Sequence, residues 1–479
     1  MEFFIQRGLI VVFYNPRDAW AGDFIPFFWE GSYHLFYLKD YRDEEEHGEG
    51  TPWFHLSTED FLHFKEWGEA LPRGGKEEQD LYVFTGCVYE KDGVFNIFYT
   101  GHNPHYEEEG RPVQAVMRAT SADLKNWEKD PANPILLPDQ ERYEANDWRD
   151  PFVFWNEQAG EYWMLLAART REGPENRRGC IALATSPDLE EWEVKDPFWA
   201  PNLYYTHECP DLFKMGDWWY LLYSTFSERH ITHYRMSKSL DGPWLAPTND
   251  SFDSRAFYAA KTASDGERRF AFAWNPTREG EVDDGDWQWG GSLVTHELVQ
   301  TEEGHLLTRP PVEVEENFTK EVSLDLEPRL GDWAVSEGEL SVEARDSFAW
   351  SKLGEMPDPC EIKATLNWEE GTRYCGLLLR ADEELENYYQ VRLEPGRDRI
   401  VFDRWPRPGD EPFILERPLP LEDEGAVELT VFVEGSVIEI YADDQVALSA
   451  RGYEHSQGSC GLFLSEGECR FTNLQINKQ

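Results

Sequence analysis

One short pattern returns along the first half of the chain at a nearly constant interval. It reads LSTEDFLHF at 56–64, ATSADLKNW at 119–127, ATSPDLEEW at 184–192 and, weakened, MSKSLDGPW at 236–244. Asp60, Asp123 and Asp188 stand 63 and 65 residues apart. Fixed-period self-similarity of this kind marks an array of supersecondary units rather than one irregular domain. Between the copies lie runs such as FFWEGSYHLFYL, CVYEKDGVFNIFYT and LFKMGDWWYLLYS, each a strand, a turn and a second strand. No segment keeps a helical period. Five such hairpins over residues from about 10 to 300 predict an all-β chain with a five-bladed β-propeller of four-stranded blades. A sandwich with coincidental spacing is the alternative, and the recurrence of Ser/Thr-x-Asp-Leu-x-x-Trp argues against it. In a blade, the Asp is expected to cap the turn between outer strands and the Trp to pack between blades, with no catalytic part for either.

Near residue 300 the grammar changes. The segment 301–317 carries paired prolines and reads as a linker, and the short strands of 318–479 lack the blade pattern and predict a β-sandwich. A chain of 479 residues is too long for a single core, in keeping with two domains. Its net charge of −48 argues against nucleic acid or an anionic membrane as partner. There is no apolar run of membrane-spanning length and no basic region ahead of the short N-terminal apolar stretch, so a cytoplasmic location is expected. The seven cysteines are odd in number and without CxxC spacing, which reads as reduced thiols, with no metal site and no cofactor. Twenty tryptophans suit both half-buried strands and the stacking of sugar rings. The sequence leaves the oligomeric state open.

A propeller places its site where the innermost strands converge, so the start of each unit carries the chemistry. These starts are Gly22-Asp23-Phe24, Phe84-Thr85-Gly86, Arg149-Asp150-Pro151, Glu208-Cys209-Pro210 and Phe257-Tyr258-Ala259. Three of the five offer a carboxylate at an equivalent place, and glycoside cleavage needs two carboxyl groups flanking the scissile bond. Taken singly, Asp23 reads equally as a turn residue, Arg149-Asp150 as a buried ion pair and Glu208 as a surface acid. Their common register favours a site.

These motifs resemble glycoside hydrolase family 32, the invertase, levanase and inulinase group, which carries Arg-Asp-Pro and Glu-Cys motifs in this order. Trp53 with His55, the Phe-Thr-Gly and Phe-Tyr-Ala triplets, and the late strands FDRW and FVEGSVIEIYADD extend the likeness over nearly the whole chain. The resemblance implies a five-bladed propeller followed by a β-sandwich. It also implies a retaining hydrolase of fructose-containing oligo- or polysaccharides, with Asp23 as nucleophile, Asp150 as transition-state stabiliser and Glu208 as acid/base. The two reacting carboxyls would then lie about 5–5.5 Å apart. Trp53, Phe84, Thr85, Arg149, Cys209, Tyr258 and Trp274 are the implied substrate contacts, and Trp287 is a further candidate platform. Two departures stand out. Trp20-Ala21-Gly22-Asp23-Phe24 replaces the family's Trp-Met-Asn-Asp-Pro-Asn-Gly, and Lys261 stands where a Gln is usual. Rival readings are an inverting arabinanase- or xylosidase-like propeller, a fructosyltransferase, and a non-catalytic sugar-binding propeller.

Overall fold

A computed structural model describes residues 11–336, 339–407, 409–410 and 414–479. The chain is almost wholly β and clusters into two compact units. The first comprises residues up to Ser251 with Phe257–Trp274 and Gly290–His305; the second comprises Phe252–Ala256, Asn275–Trp289 and Leu306–Gln479. Two short stretches inside the propeller's sequence range, 252–256 and 275–289, therefore cluster with the second unit.

In the first unit, blade I is β1 (Trp20–Trp29), β2 (Ser32–Asp40), β3 (Trp53–Thr58) and β4 (Lys65–Leu71). Blade II is β5 (Tyr82–Lys91), β6 (Val94–His102), β7 (Gln114–Ser121) and β8 (Glu128–Lys129). Blade III is β9 (Tyr143–Asn156), β10 (Glu161–Thr170), β11 (Gly179–Ser186) and β12 (Glu193–Val194). Blade IV is β13 (Glu208–Met215), β14 (Trp218–Thr225) and β15 (Ile231–Ser237); blade V is β16 (Tyr258–Ser264), β17 (Arg269–Arg278) and β18 (Trp287–Gln300). Neighbouring strands in each blade pair antiparallel. The inner strands touch in a closed cycle, β1 to β5, β9, β13, β16 and back to β1, which makes this a five-bladed propeller.

The recurring pattern does the job its chemistry suggests. Asp123 accepts backbone N–H groups from Lys125 and Asn126, and Asp188 those of Glu190 and Glu191. The residue after each Asp (Phe61, Leu124, Leu189) takes a left-handed conformation. Trp127 and Trp192 each donate back to that turn and set their ring edges against Phe36 and Phe98 of the preceding blade. The weakened copy has the expected structural cost. Ser239 replaces the capping Asp and accepts one N–H, from Asp241. Where blade IV was expected to have a fourth strand, Met236↔Leu245 and His233↔Ser251 form isolated bridges. Blades I–III thus each have four strands, and the strands assigned to blades IV and V number three each.

In the second unit, the twenty-residue strand Ser459–Lys478 pairs with Tyr374–Ala381 through its first half and with Cys360–Trp368 through its second. Alternate residues of these strands, among them Leu366, Leu377, Leu462 and Phe471, are fully buried in one apolar core, as a sandwich requires. All seven cysteines are buried free thiols. Among the described residues no helix is long and apolar enough to cross a membrane.

Gly86 admits no side chain, because a Cβ there would lie 1.9 Å from the Phe98 carbonyl oxygen of the neighbouring strand. Gly86→Ala should force β5 away from β6 and destabilise the propeller by at least about 2 kcal/mol. Urea unfolding followed by tryptophan emission would measure this, and an unchanged midpoint would show that blade II tolerates the displacement.

Candidate active site

Each inner strand breaks its ladder with the second strand of its blade at the site. Two residues of the inner strand oppose a single residue of the next: Asp23-Phe24 against Tyr37, Asp150-Pro151 against Leu166, Cys209-Pro210 against Tyr223, and Ala259-Ala260 against Ala273. In blade II only Thr85 is inserted. The first bulge residue is left-handed in all four pairs, with φ of 46° at Asp23, 58° at Asp150, 50° at Cys209 and 55° at Ala259. A bulge re-aims side chains that an unbroken strand would send into the blade. Pro151 and Pro210 fit the second position, where no ladder N–H is needed.

The register refines the sequence expectation. Asp23 and Asp150 are bulge residues, whereas Glu208 stands one position earlier, level with Arg149 and Tyr258. The three carboxylates are therefore not strictly equivalent, and the longer side chain belongs to the residue set back by one.

The five blades are tied together through these groups. Asp23 accepts from the Thr85 hydroxyl of blade II through a short hydrogen bond, and from Trp274 Nε1 of blade V at 3.0 Å. Glu208 accepts from Tyr258 Oη at 2.5 Å and from Arg149 Nη2 at 2.9 Å. The Tyr258 and Trp274 rings meet edge to face at 5.6 Å, which joins the two clusters. Asp150 accepts from the Cys209 backbone N–H at 2.9 Å and lies 3.8 Å from Arg149 Nε. The guanidinium of Arg149 also meets Asp147 at 2.5 Å, so one cation is shared by three carboxylates.

Burial sets the electrostatics. It pushes the Asp23 carboxyl up to about 7, with Asp150 and Glu208 adding to the rise and the donors Thr85 and Trp274 opposing it. Burial likewise raises Asp150, against the pull of Arg149 and the Cys209 N–H. Arg149 is held firmly protonated: desolvation works against its charge, but the surrounding carboxylates outweigh it.

Other expected contacts resolve differently. Trp53 is fully buried in the core between blades I and II and donates to the Val83 carbonyl, so it is packing and no sugar platform. Trp274 is also buried, and its part is the hydrogen bond to Asp23. Trp287 lies in the second unit with Arg255 and Arg278 over its ring. Cys209 is 4% exposed, and its backbone N–H, not its thiol, serves the site. Phe84 is half-buried and stacked on His102 at 4.5 Å. Lys261 is buried and donates to the Pro210 carbonyl, bracing the Cys209-Pro210 bulge that follows Glu208. Sequence reasoning missed Thr100, which accepts from the Asp150 N–H and donates to the Thr85 carbonyl; no motif announces it. It also missed Asp147, which the two-residue period places on the same face as Arg149.

Folded Asp23 keeps its proton up to about pH 7, whereas in the unfolded chain the carboxyl ionises near 3.8. Between those values the unfolded state sheds a proton that the folded state retains, so this group lowers stability as pH rises, and the loss is complete above about 7. Asp23→Asn cannot ionise. It should raise the unfolding temperature at pH 8 and change it little at pH 4, and calorimetry giving equal shifts at both would refute the assignment.

Two family matches cover most of the chain. Residues 14–310 match the glycosyl hydrolases family 32 N-terminal domain, and residues 335–478 match the family 32 C-terminal domain. Sucrose-6-phosphate hydrolase of Escherichia coli is 26% identical over 475 residues, covering 94% of this chain and 91% of that protein. Raffinose invertase of Escherichia coli is 26% identical over 485 residues, covering 96% and 92%. Among solved structures, fructan 1-exohydrolase IIa from Cichorium intybus superposes with a TM-score of 0.70 at 17% identity, covering 97% of this chain and 96% of that one. With both halves matched and the fold shared from end to end, the chain belongs to glycosyl hydrolase family 32.

Proposed function

We propose that this chain is a retaining β-fructofuranosidase whose chemistry is done in the 1–300 propeller, joined through 301–317 to the 318–479 sandwich. The observation that carries the reading is the opposed settings of two carboxyls. Asp23 is held by two neutral donors, a hydroxyl and an indole N–H, and Glu208 by a cation and a phenol. Two carboxyl groups held differently at one site can divide the labour of a double displacement. Family membership favours this over the inverting arabinanase-like reading. The substrates named for the relatives, phosphorylated sucrose, raffinose and fructan, share a fructosyl unit, which is the part assigned to this site. Seven buried free thiols accord with a cytosolic enzyme.

In the proposed reaction the Asp23 carboxylate attacks the anomeric carbon as the bond to the leaving oxygen breaks and Glu208 gives that oxygen its proton. Glu208 then takes a proton from water, which displaces Asp23 from the fructosyl–enzyme intermediate. Asp150, fixed by the Cys209 N–H, holds sugar hydroxyls through bonds that strengthen as positive charge develops on the ring. Arg149 and Tyr258 aim Glu208.

Asp23→Ala should abolish turnover. Glu208→Gln should lower kcat/KM for substrates with poor leaving groups by about 10²–10⁴-fold while sparing kcat/KM for an activated leaving group that needs no proton. Equal impairment on both would withdraw its assignment as proton donor. Asp150→Asn should slow both kinds of substrate.

Because the nucleophile must be ionised, kcat/KM should fall as pH drops below about 7, where Asp23 takes up its proton. Trp274→Phe removes a donor that favours the ionised form and should move that limb to higher pH. A limb that stays in place would separate Asp23 from the acid side of the profile.

A further inference from the structure

The fructoside reading leaves open whether the sugar carries a phosphate, and the charges around the site bear on that. In blades I–IV the second strand ends near the bulge: Asp40 and Lys39 pair with Trp20 and Ala21, His102 with Tyr82, Ala168 with Trp148, and Ser224 with Glu208. The loops that follow, 41–52, 103–113, 171–178 and 226–230, therefore leave the sheet at the site. Together they hold eleven carboxylates and six arginines.

Among the described residues each of those arginines already has a partner. Arg42 lies over the Trp20 ring and 3.8 Å from Asp40; Arg111 meets Glu109 at 3.1 Å. Arg178 meets Glu144 at 2.8 Å, and Arg229 meets Glu228 at 3.1 Å. Arg171 and Arg177 donate to the carbonyls of Gln140 and Leu203. Lys76 and His105 both turn to Glu49, at 3.3 and 2.9 Å. His102, stacked on Phe84, is lowered to about 4 by burial and by Arg149, so it stays neutral. At the centre, Arg149 is shared by Asp147, Asp150 and Glu208.

We propose that this site takes uncharged fructosides and rejects those bearing a phosphate, because the arginines of the loops around it are paired with carboxylates or carbonyls and those loops carry excess negative charge. The proposal rests on the fructoside reading and narrows it. A phosphomonoester carries about −1.5 to −2 charges at pH 7 and would enter a field of net negative sign. The whole chain, at −48, adds a repulsive background on approach.

The test compares kcat/KM for sucrose and sucrose 6-phosphate with the intact chain. At low salt sucrose should be preferred on the order of 100-fold, since like-charge juxtaposition is costly. The gap should narrow at about 0.5 M salt, where the exposed part of the repulsion is screened. Equal or better use of the phosphorylated sugar at low salt overturns the proposal and leaves the fructoside reading intact. Glu49→Gln should release Lys76 and His105 and narrow the preference several-fold; an unmoved ratio would remove the loops as its source. Turnover of neither sugar sinks the fructoside reading itself. The charge selection is then read by calorimetric titration with fructose and fructose 6-phosphate, where tighter binding of the phosphate overturns it.

Discussion

The site depends on a two-against-one bulge placed at the same register in the inner strands of blades I, III, IV and V. A regular strand sends successive side chains to alternate faces, so both would be lost into the packing of neighbouring blades. Inserting a left-handed residue breaks that alternation once and points a side chain along the channel. A non-glycine residue pays roughly 1–2 kcal/mol for that conformation, which the ladder on either side must hold in place. Asp tolerates it better than most residues, and Asp occupies it in blades I and III. Local backbone cost and carboxylate identity are thus settled by the same residue.

Concentrating carboxylates at the convergence of five strands creates the second constraint. Arg149 is the cation that makes the arrangement tolerable, yet its ion pairs run to Glu208, Asp150 and Asp147 and not to Asp23. Asp23 is left to neutral donors, and burial accordingly raises its pKa to about 7. The uneven sharing of one guanidinium separates the two environments more than any difference between Asp and Glu would. It also explains why Thr85 and Trp274, on blades II and V, matter to a carboxylate on blade I.

Much of this was legible in the sequence, for physical reasons. The blade count was readable because the same short turn pattern returns near the end of successive units, with Asp60, Asp123 and Asp188 at nearly constant spacing. Arg-Asp-Pro and Glu-Cys were readable because they resemble the family's motifs and occur in the family's order. What was not legible depends on contacts between residues far apart in the chain. Trp53 sits beside His55 at a promising place in sequence, and only the packing of blade I on blade II shows its indole to be enclosed. Thr100 is an unremarked threonine at the end of β6 until Asp150 arrives across from it. The offset of Glu208 by one residue is invisible without register, since the tripeptides align equally well either way.

The departure at the first motif becomes intelligible in the same terms. In blades III and IV the second bulge position is proline, which has no N–H to leave unpaired. In blade I it is Phe24, which is fully buried and packs its ring 5.7 Å from that of Tyr37, the residue opposing the bulge. Tyr37 in turn lies within hydrogen-bond reach of Tyr14, whose hydroxyl donates to Glu66. An aromatic anchor thereby occupies the position that proline holds in the other two blades, and the left-handed turn at Asp23 is kept by packing instead of by a missing donor. The first blade thus forms the same left-handed bulge as blades III and IV without the proline, and delivers a carboxylate between Thr85 and Trp274.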